Sequence, residues 1–134
     1  MALLTQLVTD LYTAYNNHRP ADAAKLYAPL CRHRDIAVGA DHRTPERIAA
    51  GLVGLFAAFP DVQWNLDEIL INENRAAVTY RLSGHLNGRL GSYEPKGQSL
   101  YLAGVQLLEV RGNHIISSTD YWDGGALHRQ LSKS

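Results

Sequence analysis

The spacing of apolar residues changes once along the chain, near Pro60. Before it the period is helical. Leu3, Leu4, Leu7, Val8, Leu11, Tyr12 and Tyr15 fall on one stripe and predict a helix over 2–17, because residues three and four apart share a helix face. The polar run Asn16-Asn17-His18-Arg19 ends it. Pro20, whose fixed φ suits a first helical position, opens a short second helix over Ala21–Ala28, and Pro29 stops it. Cys31–Val38 reads as a polar strand. Thr44-Pro45 is a hydroxyl cap followed by proline, and Ile48, Leu52, Leu55, Phe56 and Phe59 give a third helix its stripe until Pro60.

Beyond Pro60 the pattern is extended. Val62–Asn72, Ala76–His85, Leu100–Arg111 and His114–Trp122 are predicted strands, with turn signals at Asn72-Glu73-Asn74 and Gly112-Asn113 that mark hairpins. The glycine-rich connection 84–99 has the composition of a loop at the rim of a site. Gly124-Gly125 breaks the last strand, and Ala126–Leu131 forms a closing helical turn. Helices first and strands afterwards give an α+β domain with a mainly antiparallel sheet. Both faces of Leu100–Arg111 are largely apolar: Leu100, Leu102, Gly104, Gln106, Leu108 and Val110 on one, Tyr101, Ala103, Val105, Leu107 and Glu109 on the other. One face packs on helices, so the other is expected to wall a cavity or meet a partner subunit.

Composition narrows the classes. A length of 134 residues fits one domain, 1–134, with a real core. Thirteen basic residues balance thirteen acidic ones, which points away from nucleic acid and charged membrane surfaces. No apolar run reaches membrane-spanning length, and residues 1–15 lack the layout of a signal peptide. The single cysteine, Cys31, has no internal disulfide partner, so a reducing, cytoplasmic setting is expected.

The last strand carries the main candidate. Ile116, Ser118, Asp120 and Trp122 share one face. If Asp120 points inward, desolvation lifts its pKa toward neutrality and equips it to move protons beside a carbonyl; otherwise it pairs with Arg81 or sits in solvent. Asp123, before Gly124-Gly125, reads first as a helix cap. Gln106 either orients a carboxylate or binds a carbonyl, or has its amide satisfied by backbone. The six histidines form no metal-ligand spacing, so no metal site is expected. His33 and His85 are the expected pocket histidines; His18, His42, His114 and His128 read as turn or surface residues. Tyr12, Tyr15, Trp64, Tyr80, Tyr101 and Trp122 are core aromatics, or cavity lining if the fold is hollow. No nucleophile signature surrounds Cys31.

Ordered along the chain, Leu26-Tyr27-Ala28 with His33, Ala58-Phe59-Pro60-Asp61 with Trp64, Gly84-His85 with Gly88, Gly91, Pro95 and Gly97, Gly112 to Ile115, and Asp120, Asp123 and Gln130-Leu131 resemble the segments of SnoaL-like proteins, the polyketide cyclases and their relatives. One departure is Tyr93-Glu94-Pro95-Lys96 in place of a double proline. The resemblance implies the cone-shaped α+β fold shared with nuclear transport factor 2 and ketosteroid isomerase, with a curved sheet wrapped by N-terminal helices around an apolar pocket. It implies a small hydrophobic organic substrate, a homodimer or higher oligomer packed through the sheet, and no cofactor. By position it makes Asp120 the acid/base of an intramolecular aldol closure and Gln106 its polar partner. It leaves Tyr15, His33, Trp64, Tyr80, His85, Tyr101 and Trp122 to line the substrate. The activity expected is that of a cyclase or isomerase on a polyketide-like or terpenoid carbonyl compound. The alternatives are an epoxide hydrolase, with Arg81 beside Asp120, and a binding protein for a hydrophobic metabolite.

Overall fold

A computed structural model describes residues 2–133. Its elements are α1 (Ala2–Asn16), α2 (Pro20–Ala24), β1 (Tyr27–Asp35), β2 (Ala40–His42), α3 (Pro45–Ala58), β3 (Gln63–Asn72), β4 (Arg75–His85), β5 (Ser99–Arg111), β6 (His114–Trp122) and α4 (Gly124–Leu131). The six strands form one sheet in the order β2-β1-β6-β5-β4-β3. Only the β1–β6 pair is parallel. Helices lie on one face of this sheet, and the apolar stripe of α1 is buried there against Trp64, Val78, Tyr80, Leu102 and Leu108.

Local chemistry sets the boundaries. Thr44 accepts from the Arg47 N–H at the start of α3, and Asp123 accepts from the Gly125 N–H at the start of α4, so Asp123 is the cap its position predicts. Glu73 and Gly112 adopt positive φ in the two hairpin turns. The second helix is shorter than expected, and Tyr27–Asp35 is strand, so Pro29 lies inside a strand rather than ending a helix. The β1–β6 register shifts between Tyr27 and Arg32, and such an irregularity accommodates a residue with no N–H to give the ladder. The short β2 has no periodic signal and was not expected from the pattern.

Register places the chemistry. Val78, Gln106, Asp120 and Asp35 stand side by side across β4, β5, β6 and β1. A neighbouring row runs Ala76, Leu108, Ser118, His33 and His42. Because side chains alternate between faces, these rows point under the helices, and Arg34, Arg81, Leu107 and Tyr121 point to the outer face.

Candidate active site

Asp120 stands at the centre of the inner face. Its Oδ1 accepts from the Tyr80 hydroxyl at 2.9 Å, and its Oδ2 accepts from Gln106 Nε2 at 3.5 Å. His33 Nε2 lies 3.7 Å from the same Oδ2. Tyr80 reaches β6 by crossing Gly104 on the intervening strand. A Cβ at position 104 would come within 2.5 Å of the Tyr80 ring and hydroxyl, so the hydrogen bond depends on glycine there. The Asp120 and His33 side chains keep 17% and 15% of their surface accessible, so water reaches both.

Burial decides the protonation states. Loss of hydration pushes the Asp120 carboxyl up to about 7, the Tyr80 hydrogen bond opposes the rise, and the Asp35 charge adds to it. Loss of hydration, with the nearby His42, takes His33 down to about 4. The two groups are therefore not an ion pair at neutral pH, despite their proximity: a neutral imidazole faces a carboxyl poised to exchange its proton. Burial also raises the Asp35 carboxyl, whose oxygen accepts from Trp122 Nε1 at 2.7 Å.

The buried polar groups around Asp120 are paired. Gln106 is fully buried; its Oε1 accepts from the Tyr12 hydroxyl at 2.7 Å and its Nε2 donates to the Tyr15 hydroxyl at 3.4 Å. Its amide is thus held by side chains, not by backbone. Tyr27 and Ser118 hydroxyls are 2.7 Å apart, and Ser118 Oγ lies 2.6 Å from His33 Nδ1. Burial raises Tyr12, Tyr15, Tyr27 and Tyr80 above the usual phenol range, so all four stay protonated.

Of the residues expected at the site, Asp120, Gln106, His33, Tyr15, Tyr80 and Trp122 converge. Trp64 is buried one layer away, its ring 4.8 Å from that of Tyr15. Two do not belong. His85 is exposed at the end of β4, held by Asp61 through its ring and its N–H. Tyr101 is exposed on the outer face, because odd positions of β5 point away from the helices. Arg81 also faces outward and pairs with Asp67 at 3.0 Å, leaving Asp120 without the arginine that one reading gave it. Asp35, Tyr27 and Ser118 were not singled out as site residues from the sequence, whereas Tyr12 reads there as core or cavity lining. His42, read as a turn or surface residue, is half-buried with its ring parallel to His33 at 6.5 Å. His18 stacks on Phe56 at 4.3 Å.

The base of this interior is polar, where the sequence led us to expect an apolar pocket. Two hollows of about 430 and 420 Å³ lie elsewhere, one between α1 and β3 beside Tyr12 and Trp64, the other on the outer face beside Arg34 and Leu107. Among the described residues no group of three or more His, Cys, Asp or Glu is placed to hold a metal ion. No helix among them is long and apolar enough to cross a membrane.

Comparison with known proteins fits this geometry. The structure superposes on a proposed SnoaL-like polyketide cyclase from Jannaschia sp. CCS1 with a TM-score of 0.90 at 18% identity, covering 99% of this chain and 94% of that one. It superposes on AclR, a proposed hydroxylase from Streptomyces galilaeus, with a TM-score of 0.87 at 21% identity, covering 100% and 83%. A protein of ketosteroid isomerase-like fold from Catenulispora acidiphila DSM 44928, solved with trimethylamine, gives 0.83 at 21% identity, covering 96% and 93%. At such identities these likenesses establish the fold. No curated protein matches the chain. The sequence profile described as SnoaL-like polyketide cyclase matches residues 5–131. The chain belongs to the SnoaL-like polyketide cyclase family.

Proposed function

We propose that the chain is a cofactor-independent acid/base enzyme, a cyclase or isomerase acting on a small, hydrophobic, carbonyl-containing substrate of polyketide-like or terpenoid type. The observation that carries the reading is the Asp120 carboxyl, largely dry yet reached by water, with its pKa lifted to about 7. A general base works best when its pKa lies near the working pH.

In the proposed reaction the Asp120 carboxylate takes a proton from the carbon beside a carbonyl. His33 Nε2–H, the accessible donor next to it, holds the oxygen where negative charge develops. In a cyclase the enolate carbon then attacks a second carbonyl, a C–C bond forms, and the new alkoxide takes the proton from Asp120. In an isomerase the proton returns to a different carbon. Gln106 is fully enclosed and touches no substrate, so its place is to position Asp120. The water-adding epoxide reading wants an arginine between two carboxyls. Arg81 is committed to Asp67, and Arg34 faces the outer side beside Thr119, so acid/base chemistry at carbon is favoured.

The test is exchange of the methyl hydrogens of acetophenone in D2O, followed by proton NMR. The protein accelerates exchange over buffer, and Asp120→Asn lowers that acceleration by about a hundredfold or more while its circular dichroism spectrum is kept. Undiminished exchange in the variant rejects the assignment. We also propose that the chain works as a homodimer, paired through the outer face of the sheet.

A further inference from the structure

The Tyr12 hydroxyl meets Gln106 Oε1 at 2.7 Å. An amide oxygen only accepts, so Tyr12 donates. With Oε1 taken by Tyr12, the nitrogen is the end of the amide turned the other way. Gln106 Nε2 therefore faces the Tyr15 hydroxyl and Asp120 Oδ2, at 3.4 and 3.5 Å. An amide nitrogen only donates, so Gln106 holds the Asp120 oxygen that also faces His33.

On the other side of His33, Tyr27 is buried, and among the described residues its hydroxyl meets Ser118 Oγ, so its one proton goes there. Tyr27 lies 2.7 Å from Ser118 Oγ, and Ser118 Oγ lies 2.6 Å from His33 Nδ1. A serine that accepts from Tyr27 has its own proton left to give, and it goes to His33 Nδ1. A ring nitrogen that accepts carries no proton, and a neutral imidazole then carries its single proton on Nε2. That is the atom 3.7 Å from Asp120 Oδ2.

We propose that Tyr27, acting through Ser118, fixes His33 as the Nε2–H tautomer aimed at the Asp120 carboxyl. The inference rests on the reading in which His33 holds the substrate oxygen, since only this tautomer offers a proton there. Tyr27 and Ser118 are positioning residues.

Ring nitrogen shifts of the free, full-length protein, labelled with 15N and recorded at neutral pH, test it. The His33 signals are those missing from His33→Asn. The expected pattern is a protonated Nε2 and an unprotonated Nδ1. Ser118→Ala, a small change at a buried site, removes the donor to Nδ1 and lowers the tautomer ratio by about tenfold, the worth of one hydrogen bond. Ser118→Thr keeps the hydroxyl and restores the ratio. A proton on Nδ1 in the unaltered protein overturns the proposal, and so does a ratio that Ser118→Ala leaves unchanged. The outcome is separable from the activity reading. Lost exchange in Asp120→Asn together with an Nδ1–H ring refutes only the relay, and an Nε2–H ring with a fully active Asp120→Asn refutes only the catalytic role.

Discussion

His33 and Asp120 shift their proton affinities in opposite directions, and this has a consequence for stability. In the folded chain Asp120 keeps its proton up to about pH 7 and His33 loses its own near 4. In the unfolded chain the carboxyl ionises near 4 and the imidazole near 6.5. Between about pH 4 and 6.5 both states thus hold one proton on the pair, and the pair adds no pH dependence to stability. Single substitutions expose the two halves. In His33→Gln the folded state alone holds the Asp120 proton, so stability falls by about 4 kcal/mol as pH climbs from 4 to 7. In Asp120→Asn the unfolded state alone binds the His33 proton, so stability rises by about 3 kcal/mol over pH 4 to 6.5. Urea unfolding at several pH values reads these slopes relative to the unsubstituted protein. Parallel curves for all three proteins would show that the groups do not titrate this way. Removing the Tyr80 hydroxyl has a defined sign too. Its bond holds the carboxyl down against desolvation, so Tyr80→Phe moves the Asp120 titration upward, which NMR of the labelled carboxyl detects.

Strand β5 joins the site to the fold through two inward positions, Gly104 and Gln106, opposite Trp122 and Asp120. Gly104 is flat because Tyr80 lies over it. Gly104→Ala forces the ring aside, an overpacking cost of about 1–3 kcal/mol, and separates Tyr80 from Asp120. The expected result is a melting temperature several degrees lower together with the upward Asp120 titration of Tyr80→Phe. An alanine variant with both properties unchanged would mean that the ring has room elsewhere. At this scale the sequence was informative where a period ran for several turns or alternations. The α1 and α3 stripes, the strands after Pro60 and the inward face of β6 from Ser118 onward follow from it, while a register shift against β5 buries Ile115 in place of Ile116. Legibility ended at β1 and β2. Pro29 reads as a stop in any local rule, and only the irregular pairing with β6 lets a strand pass through it. Asp35 and His42 stayed hidden for the same cause. Their roles come from lying beside Asp120 and His33 across strand pairs distant in sequence, and no spacing along the chain records that.

For the whole molecule, the unresolved surface is the outer face of the sheet. Leu70, Tyr101, Leu107 and Tyr121 are exposed there, around a hollow of about 420 Å³ edged by Arg34 and Arg75. The apolar second side of β5, legible in the sequence as a cavity wall or a partner surface, is not a cavity wall within one chain. A second copy laid against this face covers the leucines and tyrosines. A stable pairing of this kind buries roughly 800 Å² on each partner, within the reach of one sheet face of a chain this size. The homodimer proposed above therefore predicts a light-scattering mass of twice 14.8 kDa. Leu107→Lys, which sets a charge in the middle of the face without entering the core, is expected to give the single-chain mass and an unchanged circular dichroism spectrum. A single-chain mass for the unsubstituted protein, or an undisturbed dimer in Leu107→Lys, would place the partner surface elsewhere. The active site makes a further demand on the result. Asp120 and its donors all lie on the inner face, so the monomeric variant keeps the His33 tautomer and the Asp120 titration of the dimer if pairing serves only to cover the outer face.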